Sequence, residues 1–375
     1  VKNYKLNAAV FSLAFAAFFN VYLPQPVLPI IQNTFGASTI WTALIISALF
    51  LGIAIGNLLF GIAVDRYAIR PIVIGGGVVI ALSAIVCAIA SNLSAIITAR
   101  FIQGFFIPTI SSCLAAYLSR LLPREDLNQI LGGYVAATVA GGLGGRVVSG
   151  MIIPAEEWRL SFLIGAGITG LALLFSWKVF STQKPAQTAN STIRYLQLAR
   201  LPSVSLILLS TATAMAAFAS VFNFLPYLLQ SDPFNLPVRS ATLFYLPYLI
   251  GTIAATFAGK LSNRFSNTFT ITLATIGLAL SLFLTTVPNL IAVGIALLGV
   301  CGSFFALHSS MLAMLNRGLT TGHGKANALY VLFYYAGAWL GVTSAGWIYD
   351  FAGWNSMITA LAALLVVPLL LGVKK

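Results

Sequence analysis

Two arginines and one histidine stand inside stretches that otherwise carry almost no charge. Arg100 lies in ITARFIQG, Arg146 in GGLGGRVVSG and His308 in FFALHSSM. A guanidinium stays protonated and presents a planar fork of donors, so it seeks carboxylates, phosphates or carbonyl oxygens. No Asp or Glu lies deep in any apolar stretch to pair with them. The arginines therefore read as an anion-attracting site or a proton-responsive charge. The alternative is a pair of ties to backbone carbonyls. His308 is the mid-stretch group that titrates near neutral pH. It reads as a proton site or substrate donor, or else as a core histidine bonded to Ser or backbone.

Neutral polar groups extend the list. Asn20, Tyr22 and Gln25 sit among Pro24, Pro26 and Pro29, and Asn223 and Tyr227 flank Pro226. Proline frees carbonyls and bends a helix, which suits a cavity lining. Gln103 follows Arg100 by three positions. Tyr330 and Tyr334 share a helical face, with Tyr335 and Trp339 on an adjoining one. They read as an aromatic site wall or as ordinary aromatic packing. Cys87, Cys113 and Cys301 have no metal spacing and read as packing residues. No phosphate-binding Gly-x-x-x-x-Gly-Lys-Ser/Thr and no nucleophile–base set appears, so neither ATP drive nor an enzyme is expected, and no cofactor or metal.

The elements that must hold these groups are membrane helices. Hydrophobic residues make up 59% of 375 positions and charged residues 7%, against about a quarter charged in a soluble chain. Twelve runs are long enough to cross a bilayer: 7–32, 39–64, 71–91, 93–120, 127–153, 159–179, 202–229, 239–261, 268–287, 290–316, 325–350 and 354–373. Lipid offers no partner to unpaired backbone groups, so each is a helix. The first run is too long for a signal h-region and reads as a retained helix. Net charge is +13, but its distribution argues against nucleic acid. Sixteen of the twenty Lys and Arg residues fall on the termini and alternate turns, against Arg159 and Arg239 on the other side. That bias places both termini in the cytoplasm. Binding of membrane lipid by these basic turns is a secondary expectation.

The chain is built twice. GIAVDRYAIRP (Gly61 to Pro71) and GKLSNRF (Gly259 to Phe265) align at an offset of 198, pairing Asp65 with Asn263 and Arg66 with Arg264. Gly104 pairs with Gly302 at the same offset, and AGGLGGRVVSG with AGAWLGVTSAG at 196. The longest polar stretch, 181–201, separates six runs from six. The expected organisation is a six-helix domain over 1–180, a linker over 181–201 and a second six-helix domain over 202–375. Parallel six-helix halves are a transporter architecture, though some channels are duplicated too.

These motifs resemble the major facilitator superfamily over nearly the whole chain. GIAVDRYAIRP is similar to its motif after the second helix, Gly-x-x-x-Asp-Arg-x-Gly-Arg-Arg, with Ala68 in place of a Gly. ARFIQG resembles the fourth-helix motif Arg-x-x-Gln-Gly. The Gly-rich fifth helix resembles the antiporter motif, with Arg146 where drug antiporters usually carry Pro. NVYLPQPVLP, GGLGGR and FNFLPYLLQSDPFNL are similar to the YnfM-type subgroup, bacterial inner-membrane proteins described as drug or sugar efflux carriers. The resemblance implies an all-α membrane protein of the major facilitator fold, two pseudo-symmetric six-helix bundles around a central cavity, working as a monomer by alternating access. It also implies a cytoplasmic gate at Gly61, Asp65, Arg66, Arg70, Asn263 and Arg264. There Asp65 would latch onto the positive N-terminal end of a helix in the opposite half, near Lys325. The expected function is proton-coupled efflux of a small organic molecule, with an anion or zwitterion favoured by Arg100 and Arg146. The competing readings are a broad apolar-drug antiporter, a passive facilitator and a non-transporting receptor.

Overall fold

A computed structural model describes residues 4–183, 195–319 and 321–373. Most of the expected linker therefore lies outside the described residues. Among the described residues there is no strand. Ten apolar segments follow one another: α1 (Tyr4–Phe35), α2 (Thr39–Ala63), α3 (Ile69–Ile89), α4 (Leu93–Leu121), α5 (Ile130–Ile152), α6 (Ala155–Ser176), α7 (Pro202–Gln230), α8 (Val238–Arg264), α9 (Asn267–Leu284) and α10 (Leu290–Arg317). An eleventh apolar stretch, His323–Val373, holds 51 residues. At about 1.5 Å per residue it would reach more than twice across a hydrocarbon core. It is broken at Gly353, whose φ of 71° and ψ of −171° belong to a region reserved for glycine. The break yields α11 (323–352) and α12 (354–373), and with them twelve crossings.

The irregularities of these helices trace to sequence. In α1, prolines 24, 26 and 29 remove amide donors. The α-helix accordingly stops at Tyr22 and passes through a 3-10 turn, Gln25–Val27, before resuming over Leu28–Phe35. In α7 the helix continues through Pro226. The carbonyl that Pro226 cannot engage is that of Phe222, and the Tyr245 hydroxyl donates to it at 3.1 Å.

The chain gathers into two compact units. The first comprises the residues before 38 and from 44 to the linker; the second takes 38–43 and the residues after the linker. The same glycine contact is built in both. In the first unit, a Cβ on Gly141 or Gly145 of α5 would stand 2.3 Å from the carbonyl oxygens of Phe15 and Phe19 on α1. In the second, a Cβ on Gly337 of α11 would stand 2.2 Å from the Ala212 carbonyl oxygen on α7, and one on Gly341 2.5 Å from Ala216. Only glycine permits backbones to approach this closely. Gly52 and Gly56 of α2 sit in the same way against Phe101 and Phe105 of α4. These small-residue motifs fasten helices within a unit.

Candidate functional site

Polar chemistry in the first unit gathers around the broken end of α1. Pro24 cannot donate, so the Asn20 carbonyl lacks its ordinary helical partner. Arg100, fully buried on α4, donates to that carbonyl through Nη1 at 2.7 Å and to the Val21 carbonyl through Nη2 at 2.6 Å. Its Nε donates to the Ile45 carbonyl on α2 at 3.1 Å, and Nη1 also donates to Gln103 Oε1. Gln103 Nε2 donates to the Ile80 carbonyl on α3 at 3.1 Å and to Asn20 Oδ1 at 3.4 Å. Asn20 Nδ2 donates onward to Thr169 Oγ1 and the Gly165 carbonyl on α6, at 3.0 and 3.2 Å. One guanidinium thus anchors a network through five helices. The resemblance motif placed Arg100 and Gln103 together, whereas Gly165 and Thr169 carried no sequence signal.

Arg146 is held differently. It is buried on α5, where its Nε donates to Gln25 Oε1 at 2.8 Å and its Nη1 to the Gly142 carbonyl at 3.1 Å. Its guanidinium carbon lies 4.2 Å from the centre of the Tyr22 ring. Such a contact contributes on the order of 1–2 kcal/mol when desolvated. Gly142 makes room for it: a Cβ there would stand 3.0 Å from the Tyr22 ring. Tyr22 and Gln25 are therefore brought to Arg146, as Asn20 and Gln103 are to Arg100.

In the second unit, His308 of α10 meets Tyr330 and Tyr334 of α11. The Tyr330 hydroxyl lies 2.9 Å from His308 Nδ1 and donates to the His308 carbonyl at 3.1 Å. The Tyr334 ring centre is 5.2 Å from the imidazole, which also stacks on Phe304. Tyr330 is buried, while His308 and Tyr334 remain partly exposed. Asn223 and Tyr227 stand apart from this cluster, on α7. Asn223 is completely buried, and among the described residues neither end of its amide finds a partner. Leaving both ends of a buried amide unmet costs a few kcal/mol. Tyr227 packs on Phe224 and Tyr349.

The duplicated turns keep one contact in common. Asp65 forms an ion pair with Arg120, which also donates to the Val64 carbonyl at 3.3 Å. In the second unit Arg317 donates to Asn263 Oδ1 at 3.1 Å. Arg120 and Arg317 stand 197 positions apart, one short of the offset of the turns, so the repeat alone did not announce this brace. The partner of Asp65 lies in its own unit. Arg70 stacks over Trp177 at 5.2 Å and Arg264 over Phe265 at 5.4 Å. Arg66 is exposed, and a Cβ on Gly61 would meet nothing within 4 Å.

The twelve apolar helices among the described residues, duplicated unit by unit with a charged turn after the second of each, agree with a match between residues 10–314 and a model of the Major Facilitator Superfamily. The chain belongs to that superfamily. It is a multi-pass membrane transporter and not an enzyme. An uncharacterized transporter of Buchnera aphidicola subsp. Schizaphis graminum is 24% identical, over 99% of this chain and 92% of that one. The inner membrane transport protein YnfM of Escherichia coli K12 is also 24% identical, over 99% and 90%. Among solved structures, a mutant of the nucleoside transporter NupG superposes with a TM-score of 0.81 at 13% identity, covering 98% of both chains. A bacterial homologue of the human lysosomal transporter Spinster gives 0.80 at 14%, covering 99% of this chain and 97% of the other. The superfamily fold is thereby shared across relatives whose side chains have largely diverged.

Proposed function

We propose that this transporter is a secondary active carrier that works by alternating access and exports a small organic anion or zwitterion in exchange for protons. Both termini lie in the cytoplasm, as the basic turns require. The observation that carries the reading is Arg146. A guanidinium buried within a span, oriented by Gln25, the Gly142 carbonyl and the face of Tyr22, presents positive charge where the surroundings screen it little. Arg100 serves that site by position, because its donors hold the end of α1 on which Tyr22 and Gln25 ride. In the second unit the buried amide of Asn223 offers a donor and an acceptor not used by the described residues. His308, braced by Tyr330, is the group that exchanges a proton. The aromatic group of Phe304, Tyr330 and Tyr334 favours one second reading, a carrier for apolar cargo.

Flux into proteoliposomes tests the scheme. Uphill movement of an acidic solute that collapses on adding a protonophore is the expected result. Flux that only equilibrates, with or without the protonophore, identifies a facilitator. Binding by Arg146→Ala separates the two cargo readings: an acidic ligand should bind at least tenfold more weakly and a basic ligand unchanged. Equal losses for both would refute the charge-selective role.

A further inference from the structure

At the end of the first unit that carries the basic turns, residues of α1, α4 and the end of α6 line an open cavity of about 580 Å³ whose lining includes none of the polar groups described above. Its charged lining is Lys5 and Lys178, both exposed, and Tyr117 of α4 lines it as well. Leu6, Leu121 and Phe175 supply apolar walls; Leu121 and Phe175 are 52% and 53% exposed. No lining residue is a carboxylate. An edge contact with Phe180, at 6.2 Å between ring centres, fixes the Tyr117 ring. Beside the cavity, Trp177 is half-exposed and carries Arg70 over its face.

This combination has a definite chemical reading. Exposed Leu and Phe belong at acyl-chain depth, whereas Trp, Lys and Arg belong at the headgroup level. Two ammonium groups and a phenol set at that boundary complement a phosphodiester that has hydrocarbon attached to it. We infer that this cavity holds an anionic phospholipid. Lys5 and Lys178 pair with the phosphate oxygens, the Tyr117 hydroxyl donates to a third oxygen, and Leu6, Leu121 and Phe175 lie along the first carbons of the chains. A freely diffusing phosphate would share the ammonium chemistry and leave the apolar walls without use.

The test uses the full chain in detergent micelles, with native mass spectrometry to count bound lipid and thermal unfolding to follow stabilisation. Phosphatidylglycerol should bind and raise the unfolding temperature, while phosphatidylcholine with the same chains and inorganic phosphate should not. Loss of about 1 kcal/mol per basic residue near a phosphate surface corresponds to roughly 30-fold weaker binding in Lys5→Gln/Lys178→Gln. The Lys5→Arg/Lys178→Arg variant should retain binding. The charge-matched Arg200→Gln/Lys260→Gln should bind as the parent does. Stabilisation by inorganic phosphate alone would make the cavity a free-anion site and overturn the lipid assignment. Equal stabilisation by phosphatidylcholine, or equal loss in the charge-matched variant, would overturn it as well.

Discussion

Arg100 and Arg146 look alike in the sequence, two lone cations at similar depth, and the structure gives them different neighbours. Arg100 reaches three carbonyls and Gln103, one of those carbonyls being released by Pro24. Its removal leaves several buried acceptors unmet, at a cost of about 3 kcal/mol or more. Arg100→Ala should therefore lower the unfolding temperature by several degrees, and Arg100→Lys should recover little, because a single ammonium cannot span the same fork. A variant as stable as the parent would show that the network is not structural. At the histidine, the expected readout is the pH profile. His308→Gln should flatten the dependence of uptake rate on pH, and Tyr330→Phe, which removes the hydroxyl at Nδ1, should shift it. An unchanged profile in His308→Gln would take it out of the proton path. The residue types were legible in the sequence, since burial of charge in lipid is costly and draws attention. Their partners were not, because the carbonyls of Ile45 and Val21 that Arg100 meets belong to residues whose side chains are apolar and silent in any motif.

Helices show the same division between what sequence carries and what packing decides. Hydropathy located the spans to within a few residues, and the prolines marked the break in α1. The Gly-x-x-x-Gly spacing of Gly141 and Gly145 suits a close helix contact, and only the structure shows α1 as the surface met. A prediction follows at this scale from paired substitutions. Gly141→Ala and Gly337→Ala place a carbon within 2.3 Å of a carbonyl oxygen in each case, and each should separate two helices and cost about 1–3 kcal/mol. Gly75→Ala, where a Cβ meets nothing within 4 Å, should be neutral or slightly stabilising. Thermal unfolding in detergent, run on all three, checks the contrast. A uniform response would mean that glycine acts through helix propensity and not through contact.

For the whole molecule, duplication supplies a frame on which one copy has been made different. Asp65 and Asn263 occupy equivalent turns and meet equivalent arginines, Arg120 and Arg317, but only the first contact joins opposite charges. An exposed ion pair stabilises by at most about 1 kcal/mol, too little to matter for folding and enough to bias an equilibrium several-fold. Asp65→Asn, which makes the copies alike, should slow transport markedly with little loss of stability; Asn263→Asp should change the rate less. Equal small effects in a flux assay would reduce both turns to solvated loops. The break at Gly353 has a consequence of another kind. Where the other described crossings are joined by two residues or more, α11 and α12 meet at a single residue with a backbone that side chains rarely adopt. No slack remains there for a foreign peptide. An epitope or reporter fused between 352 and 354 for topology mapping should therefore abolish expression, so the sidedness of this end of the chain is better probed by labelling single cysteines placed on either side of the turn.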